Sequence, residues 1–212
     1  MAKTFSILTL GCKVNQYESE AMSELFEKRG YKEVDNDEFS DVYIVNTCTV
    51  TNLSDRKSRQ FIRKSKKKNP DSVVAVVGCY SQVSPEEVKN IEGVDVVIGT
   101  TERNKIVDLI EEFKDSHKKI NIVKDLKDVR EFANTTNFDN NNRTRAYMKV
   151  QDGCNRFCTY CIIPFARGPI RSREIDDAVR EARILADNGF KEIVLTGIHI
   201  GSFGMDMGDM RL

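Results

Sequence analysis

Six cysteines carry the chemistry that this 212-residue sequence offers: Cys12, Cys48, Cys79, Cys154, Cys158 and Cys161. They fall into two sets of three. Members of the first set lie more than thirty residues apart, whereas the second set is packed into eight residues with C-x3-C-x2-C spacing. The N-terminal Met1–Thr4 lacks a signal peptide's apolar core and cleavage site, and no run approaches the ~20 apolar residues of a membrane span. The chain therefore reads as cytosolic, with no membrane partner. In that compartment stable disulfides are rare, and thiols act as metal ligands, nucleophiles or packing residues.

Three thiolates at the spacing of Cys154, Cys158 and Cys161 can hold three irons of a [4Fe–4S] cube, leaving the fourth iron to bind a small molecule. A structural zinc site wants four tetrahedral ligands. This segment offers three, and the chain's two histidines, His117 and His199, lie elsewhere. Zinc, or thiols that merely pack, remain the alternatives.

The elements that must position these residues follow from hydrophobic pattern. Apolar β-rich runs at Thr4–Leu10, Val42–Val45, Val73–Val77 and Val94–Ile98 read as buried strands. Helices are expected over Asn15–Arg29, Ser54–Lys68 and Asn104–Phe113. Ser84, Pro85 and Glu87 form a helix-start signature. Alternation of this kind predicts an open parallel sheet with helices on both faces, and ligands bind beyond the carboxyl ends of such strands. Three of the strands run into Cys12, Cys48 and Cys79, so wide spacing in sequence becomes convergence along one sheet edge. Lys118–Val123 reads as one more short strand, and the Asn-rich stretch 134–143 as a linker or exposed loop. A new βαβ unit is expected at Ala146–Val150, Ile175–Asn188 and Lys191–Leu195, with a Cys-rich loop over Asp152–Arg173. The expected organisation is an α/β domain over 1–116, a connecting segment over 117–143 and a second domain from 144 to 212.

Charge is balanced at 33 basic and 33 acidic side chains, so no global field announces a polyanionic partner. The basic residues are nonetheless clustered. Between Arg56 and Lys68 lie Arg56, Lys57, Arg59, Arg63, Lys64, Lys66, Lys67 and Lys68 with no acid among them, and Arg167, Arg171 and Arg173 follow later. Such clusters are the footprint of phosphate binding, or simply a solvated helix face.

The run from Cys154 to Cys161 resembles the signature of the radical S-adenosylmethionine superfamily. That resemblance implies a [4Fe–4S] cluster whose open iron chelates S-adenosylmethionine and cleaves it to a 5′-deoxyadenosyl radical, the hard chemistry belonging to the cofactor. It further implies that Tyr160 lies near the adenine and that Thr196 and Gly197 meet the cofactor's amino group. The segments Leu10–Gln16, Val45–Val50 and Val77–Gln82 look like the N-terminal domain of the methylthiotransferases. The likeness extends to Lys149–Cys154 and Ile162–Gly168. In that family three such cysteines hold a second [4Fe–4S] cluster, whose open site carries the sulfur to be inserted.

Within the family, Gly11–Gln16 and Asp55–Gln60 are most similar to the branch acting on N6-threonylcarbamoyladenosine in tRNA. The implied activity is methylthio transfer to C2 of the adenosine beside the anticodon. It would need an electron donor and a sulfur source, neither of which the resemblance names. The branches acting on isopentenyl-adenosine in tRNA or on a ribosomal protein aspartate are alternatives. So is a non-enzymatic iron–sulfur carrier or redox protein. A full (βα) barrel takes ~250 residues, yet 70 run from Arg143 to the end. The second domain is thus expected to be an incomplete barrel with an exposed sheet edge, prone to aggregation and inactive alone.

Overall fold

The computed structural model describes residues 3–49, 52–133 and 144–208, with backbone alone over 52–55. The chain divides into two compact units, Met1–Lys124 and Asp125–Leu212. The first is built on six strands: β1 (Thr4–Thr9), β2 (Lys32–Glu33), β3 (Val42–Thr47), β4 (Val73–Gly78), β5 (Val96–Ile98) and β6 (Ile120–Ile122). They pair in the order β2-β1-β3-β4-β5-β6, every pair parallel. The helices are α1 (Lys13–Lys28), α2 (Asn52–Lys68), α3 (Cys79–Val83), α4 (Pro85–Lys89) and α5 (Ile106–Ser116).

Side chains alternate across a strand, and here both sets are apolar, so both faces demand cover. Val42, Ile44, Val73, Ala75 and Val77 pack with Met22 and Phe26 of α1 and with Ile106, Leu109 and Ile110 of α5. Their neighbours Tyr43, Val45, Val74 and Val76 pack against Phe61 and Ile62 of α2 and Val88 of α4. A parallel sheet with helices on both faces is therefore the observed architecture. β2 escapes the sequence pattern because it is a two-residue edge whose side chains are both exposed. Ser84 precedes α4 but makes no side-chain capping bond, so that part of the helix-start signature is not realised. Residues 117–124 of the segment expected to be connecting fall in the first unit, with β6 extending the sheet beside β5.

In the second unit β7 (Arg145–Lys149) pairs in parallel with β10 (Glu192–Thr196), and α7 (Ile175–Asp187) joins them. Ala146, Met148, Val150, Leu185 and Phe203 form the small core, with Ala178, Ala182 and Ile193 against it. This is the βαβ unit expected from the sequence. Among the described residues β10 pairs only with β7, and Ile175, Val179 and Leu195 are exposed. Between β7 and α7 lie β8 (Gln151–Asp152), α6 (Ile163–Arg167) and β9 (Arg171–Ser172). β8 and β9 pair antiparallel and pinch the base of the Cys-rich loop. The Asn-rich stretch 134–143 lies outside the described residues.

Candidate functional site

The sheet of the first unit changes winding direction at its second and third positions. From β1 the chain crosses to β2 on one side, whereas from β3 it runs to β4, β5 and β6 on the other. Crevices at such switch points, beyond the carboxyl ends of the strands, are where open α/β sheets bind ligands. Cys12 follows β1, Cys48 comes directly after β3, and Cys79 directly after β4. Registers Thr9↔Asn46 and Thr47↔Gly78 bring the three strand ends level. Cys12 is exposed, Cys48 and Cys79 are buried, and no cysteine of the chain is in a disulfide.

Two glycines let the backbone close around these thiols. Gly11 has φ +123°, and a Cβ there would stand 2.9 Å from the Cβ of Cys48. Gly78 adopts φ 101°, ψ −156°, a region essentially reserved for glycine. An amide network buttresses the same edge. Asn15 Nδ2 donates to the Thr47 carbonyl (3.0 Å) and to Asn46 Oδ1 (3.3 Å), while Asn46 Nδ2 donates to the Asn15 carbonyl (2.9 Å) and Ser19 Oγ (3.0 Å). The Cys12 thiol donates to Asn15 Oδ1 at 3.2 Å. The sequence signal for these positioning groups was present: a buried strand ending in Asn is unusual, since Asn is depleted in strands.

The second set sits on the loop closed by β8 and β9. Cys154 N donates to the Gly168 carbonyl (3.0 Å), and Cys161 N to the Cys158 carbonyl (2.9 Å). Gly153 has φ +72°, and a Cβ there would lie 1.9 Å from the Pro169 carbonyl oxygen, so no other residue fits. Phe157 stands in the left-handed region at φ 44°. Its ring meets Phe165 edge-on at 6.0 Å. Tyr160 is 91% exposed. Thr196 is buried at the end of β10, and its carbonyl accepts from Val150 N at 2.9 Å.

Each set offers donors of the type that iron takes: three reduced thiols, carried on backbone that glycine shapes. The side chains themselves are not gathered. Among the described residues no group of three or more Cys, His, Asp or Glu side chains is drawn together to hold a metal ion.

The basic residues divide sharply. On α2, Ser58, Phe61, Ile62 and Ser65 face inward, and Arg56, Lys57, Arg63, Lys64 and Lys67 face solvent. Arg59 is half-buried against Tyr80 and Glu87, with its Nη2 3.1 Å from the phenol oxygen, which in turn donates to Glu87 at 2.6 Å. Burial, with the Glu87 bond behind it, pushes the Tyr80 phenol up to about 12. Arg59 and Arg63 line one side of a cavity of about 390 Å³ that Glu87, Asn90, Ile91 and Glu92 complete. Lys64 pairs with Asp37 and Lys66 with Asp95, whereas Arg56, Lys57, Arg63 and Lys67 carry no ion pair among the described residues.

Arg167, Arg171 and Arg173 do not belong to that surface. Each is at most 3% exposed. Arg167 and Arg171 approach Asp152 at 3.5 Å, as does Lys149 at 3.2 Å, and Arg173 pairs with Glu181. A buried guanidinium needs a partner to offset its desolvation, and these arginines are turned onto carboxylates inside the second unit, away from a polyanion in solvent. Sequence alone showed their charge but not the carboxylates waiting for them.

Residues 4–99 match the model of the uncharacterized protein family UPF0004, and residues 148–201 that of the radical SAM superfamily. The chain is 48% identical over 206 residues to the Threonylcarbamoyladenosine tRNA methylthiotransferase MtaB of Bacillus subtilis, covering 97% of this chain and 46% of that protein. It is 40% identical to the protein of the same name from Aquifex aeolicus, covering 94% of this chain and 49% of that one. The tRNA-2-methylthio-N(6)-dimethylallyladenosine synthase of a Sulfurihydrogenibium species is 36% identical, over 98% of this chain and 48% of its own length. The chain thus spans about half the length of the curated relatives it matches.

Proposed function

We propose, from a chain that joins a UPF0004 segment to a radical SAM segment and resembles the N-terminal part of the radical S-adenosylmethionine methylthiotransferases, that it is the cluster-bearing portion of such a transferase acting on tRNA. The observation that carries the reading is the placement of Cys12, Cys48 and Cys79 at level strand ends flanking the switch point of a parallel sheet. A C-x3-C-x2-C loop closed by its own two-stranded ladder accompanies it.

In this reading Cys154, Cys158 and Cys161 hold one [4Fe–4S] cluster, and Cys12, Cys48 and Cys79 hold another. Bound at the first of these, the cluster and S-adenosylmethionine together supply reductive bond cleavage and the radical that follows from it. The protein's own residues bind and orient. Thr196 and Gly197 receive the cofactor's amino group, and the exposed ring of Tyr160 offers a stacking surface for its adenine. Exposed Arg56, Lys57, Arg63 and Lys64 on α2, with Arg59 behind them, steer the tRNA backbone. The base modified is the adenosine beside the anticodon, at C2. Threonylcarbamoyladenosine is the favoured substrate, because relatives named for it reach 48% identity against 36% for the compared relatives named for dimethylallyladenosine.

Anaerobic purification followed by iron, acid-labile sulfide and zinc analysis tests the reading. About eight irons per chain with matching sulfide are expected, two clusters of four. Cys158→Ala is expected to halve the iron and lose S-adenosylmethionine binding, whereas Cys12→Ala halves the iron and spares that binding. Zinc without sulfide would overturn both assignments, and clusters that bind no S-adenosylmethionine would leave an iron–sulfur carrier.

A further inference from the structure

One buried side chain touches both loops at the carboxyl end of the β7–β10 pair. Gln151 is fully buried and lies three residues before Cys154. Its Nε2 donates to the Asp152 and Gly153 carbonyls, both at 2.7 Å, and so grips the entry to the Cys-rich loop. Its Oε1 accepts from the backbone N–H of His199 at 2.7 Å, and so grips the loop that follows Thr196 and Gly197. Gly197 lies hard against the same side chain: a Cβ there would meet Gln151 Cβ, its carbonyl oxygen and Oε1, each at 3.0 Å. All the hydrogen-bonding capacity of the amide except one acceptor site is thereby engaged, with donors facing one loop and the acceptor facing the other.

This division of labour is specific to an amide. A carboxylate would aim an oxygen at two carbonyls, and a hydrocarbon would remove the side-chain bonds to both carbonyls and to the N–H. The backbone ladder supports the arrangement without replacing it, since Val150 N reaches the Thr196 carbonyl at 2.9 Å and stops short of Gly197. Residues of the second loop beyond Thr196 are thus tied to the first loop through Gln151.

We propose that Gln151 is a positioning residue that fixes the Gly197–His199 loop against the Cys154–Cys161 loop, so that affinity for S-adenosylmethionine depends on the two loops being held together. The inference rests on the radical S-adenosylmethionine reading given above. It assigns Gln151 no contact with the reacting atoms. Its effect is therefore expected in cofactor binding rather than in cluster assembly, because the thiols reside on one loop only.

The test compares wild type, Gln151→Glu and Gln151→Leu in the whole chain, reconstituted without oxygen. Two quantities are measured: iron and sulfide per chain, and the S-adenosylmethionine-induced change in the electron paramagnetic resonance spectrum of the reduced cluster, titrated to give an affinity. Wild-type iron with affinity weakened tenfold or more in both variants supports the proposal. Unchanged affinity overturns it, as does loss of iron in step with affinity, which would make Gln151 part of cluster assembly instead. Should these variants fail to fold by circular dichroism, Gln151→Asn decides. It keeps the amide but is one methylene too short to span both loops, and is expected to give the same split; wild-type affinity in that variant would overturn the proposal. Wild type that assembles the cluster yet shows no spectral response to S-adenosylmethionine would instead sink the radical S-adenosylmethionine reading itself.

Discussion

Gly78→Ala is the substitution whose cost the structure states most directly. At φ 101°, ψ −156° an alanine is held in a region that costs about 1–3 kcal/mol. Its methyl would also sit 2.6 Å from the Thr47 carbonyl oxygen and 3.0 Å from Thr47 N. Neither neighbour can rotate away, because both are backbone of the central strand β3. That carbonyl also receives Asn15 Nδ2 at 3.0 Å, and displacing it forfeits a buried hydrogen bond worth about 1 kcal/mol. The total comes to roughly 2–4 kcal/mol. Gly30 provides the internal control, since its φ is also positive, at +80°, but nothing lies within 4 Å of an added Cβ. Gly30→Ala should cost only the conformational part, about 1 kcal/mol. With a urea slope of about 2 kcal/mol/M, the two variants should lower the midpoint by about 1–2 M and 0.5 M. Far-ultraviolet circular dichroism follows the unfolding, and hydrogen exchange locates the loosening at the β3–β4 ends. If Gly78→Ala loses no more stability than Gly30→Ala, the close approach of backbone that shapes the Cys48–Cys79 edge is not as described.

Further outcomes follow from the same geometry. Neutralising Arg56, Arg63 and Lys67 to Gln should leave the fold intact and weaken RNA binding for all sequences alike. Every phosphate that goes unneutralised should lower the salt slope by about one, which filter binding at several salt concentrations would show. Glu181→Ala leaves the Arg173 guanidinium buried beside the space of its carboxylate partner, and should cost about 3–5 kcal/mol in urea unfolding. The Tyr80 phenol is raised from its ordinary 10 to about 12, so its contribution to stability is complete below pH about 10. That contribution is lost as pH rises towards about 12. Burial raises Tyr31 and Tyr43 as well, so an ultraviolet titration should show several late phenolate steps, of which Tyr80→Phe removes one.

The parallel sheet was legible because its strands announce themselves twice. Val42–Val45 and Val73–Val77 are apolar at every position, which only burial on both faces explains, and each ends in a residue pair with Cys or Gly. β2 was not legible, since Lys32 and Glu33 carry no apolar signal and join the edge by backbone bonds alone. α3 was hidden for a different reason: its five residues start at Cys79 itself, leaving no room for a hydrophobic period. All six thiols could be singled out by type and spacing, whereas of the groups that orient them only Asn46 left a trace, as an Asn ending a buried strand. Asn15, Asn46 and Gln151 act through hydrogen bonds that link distant stretches of chain, and neither partner marks the other in sequence. Charge misled for a related reason. Arg167, Arg171 and Arg173 look like a basic patch when read linearly, and only folding brings Asp152 and Glu181 against them.

The uneven exposure of the thiols makes each set of three depend on one outward-facing member. Cys12 is exposed while Cys48 and Cys79 are buried, and Cys158 is exposed while Cys154 and Cys161 are half-covered. Oxidation of a thiol to its sulfenic acid follows accessibility and then proceeds to forms that cannot be reduced back. In air, the metal-free chain should therefore lose Cys12 and Cys158 first, with the inner four intact. A preparation damaged in this way would keep its fold, its core and most of its thiols, yet on the proposed reading would lack one ligand for each cluster.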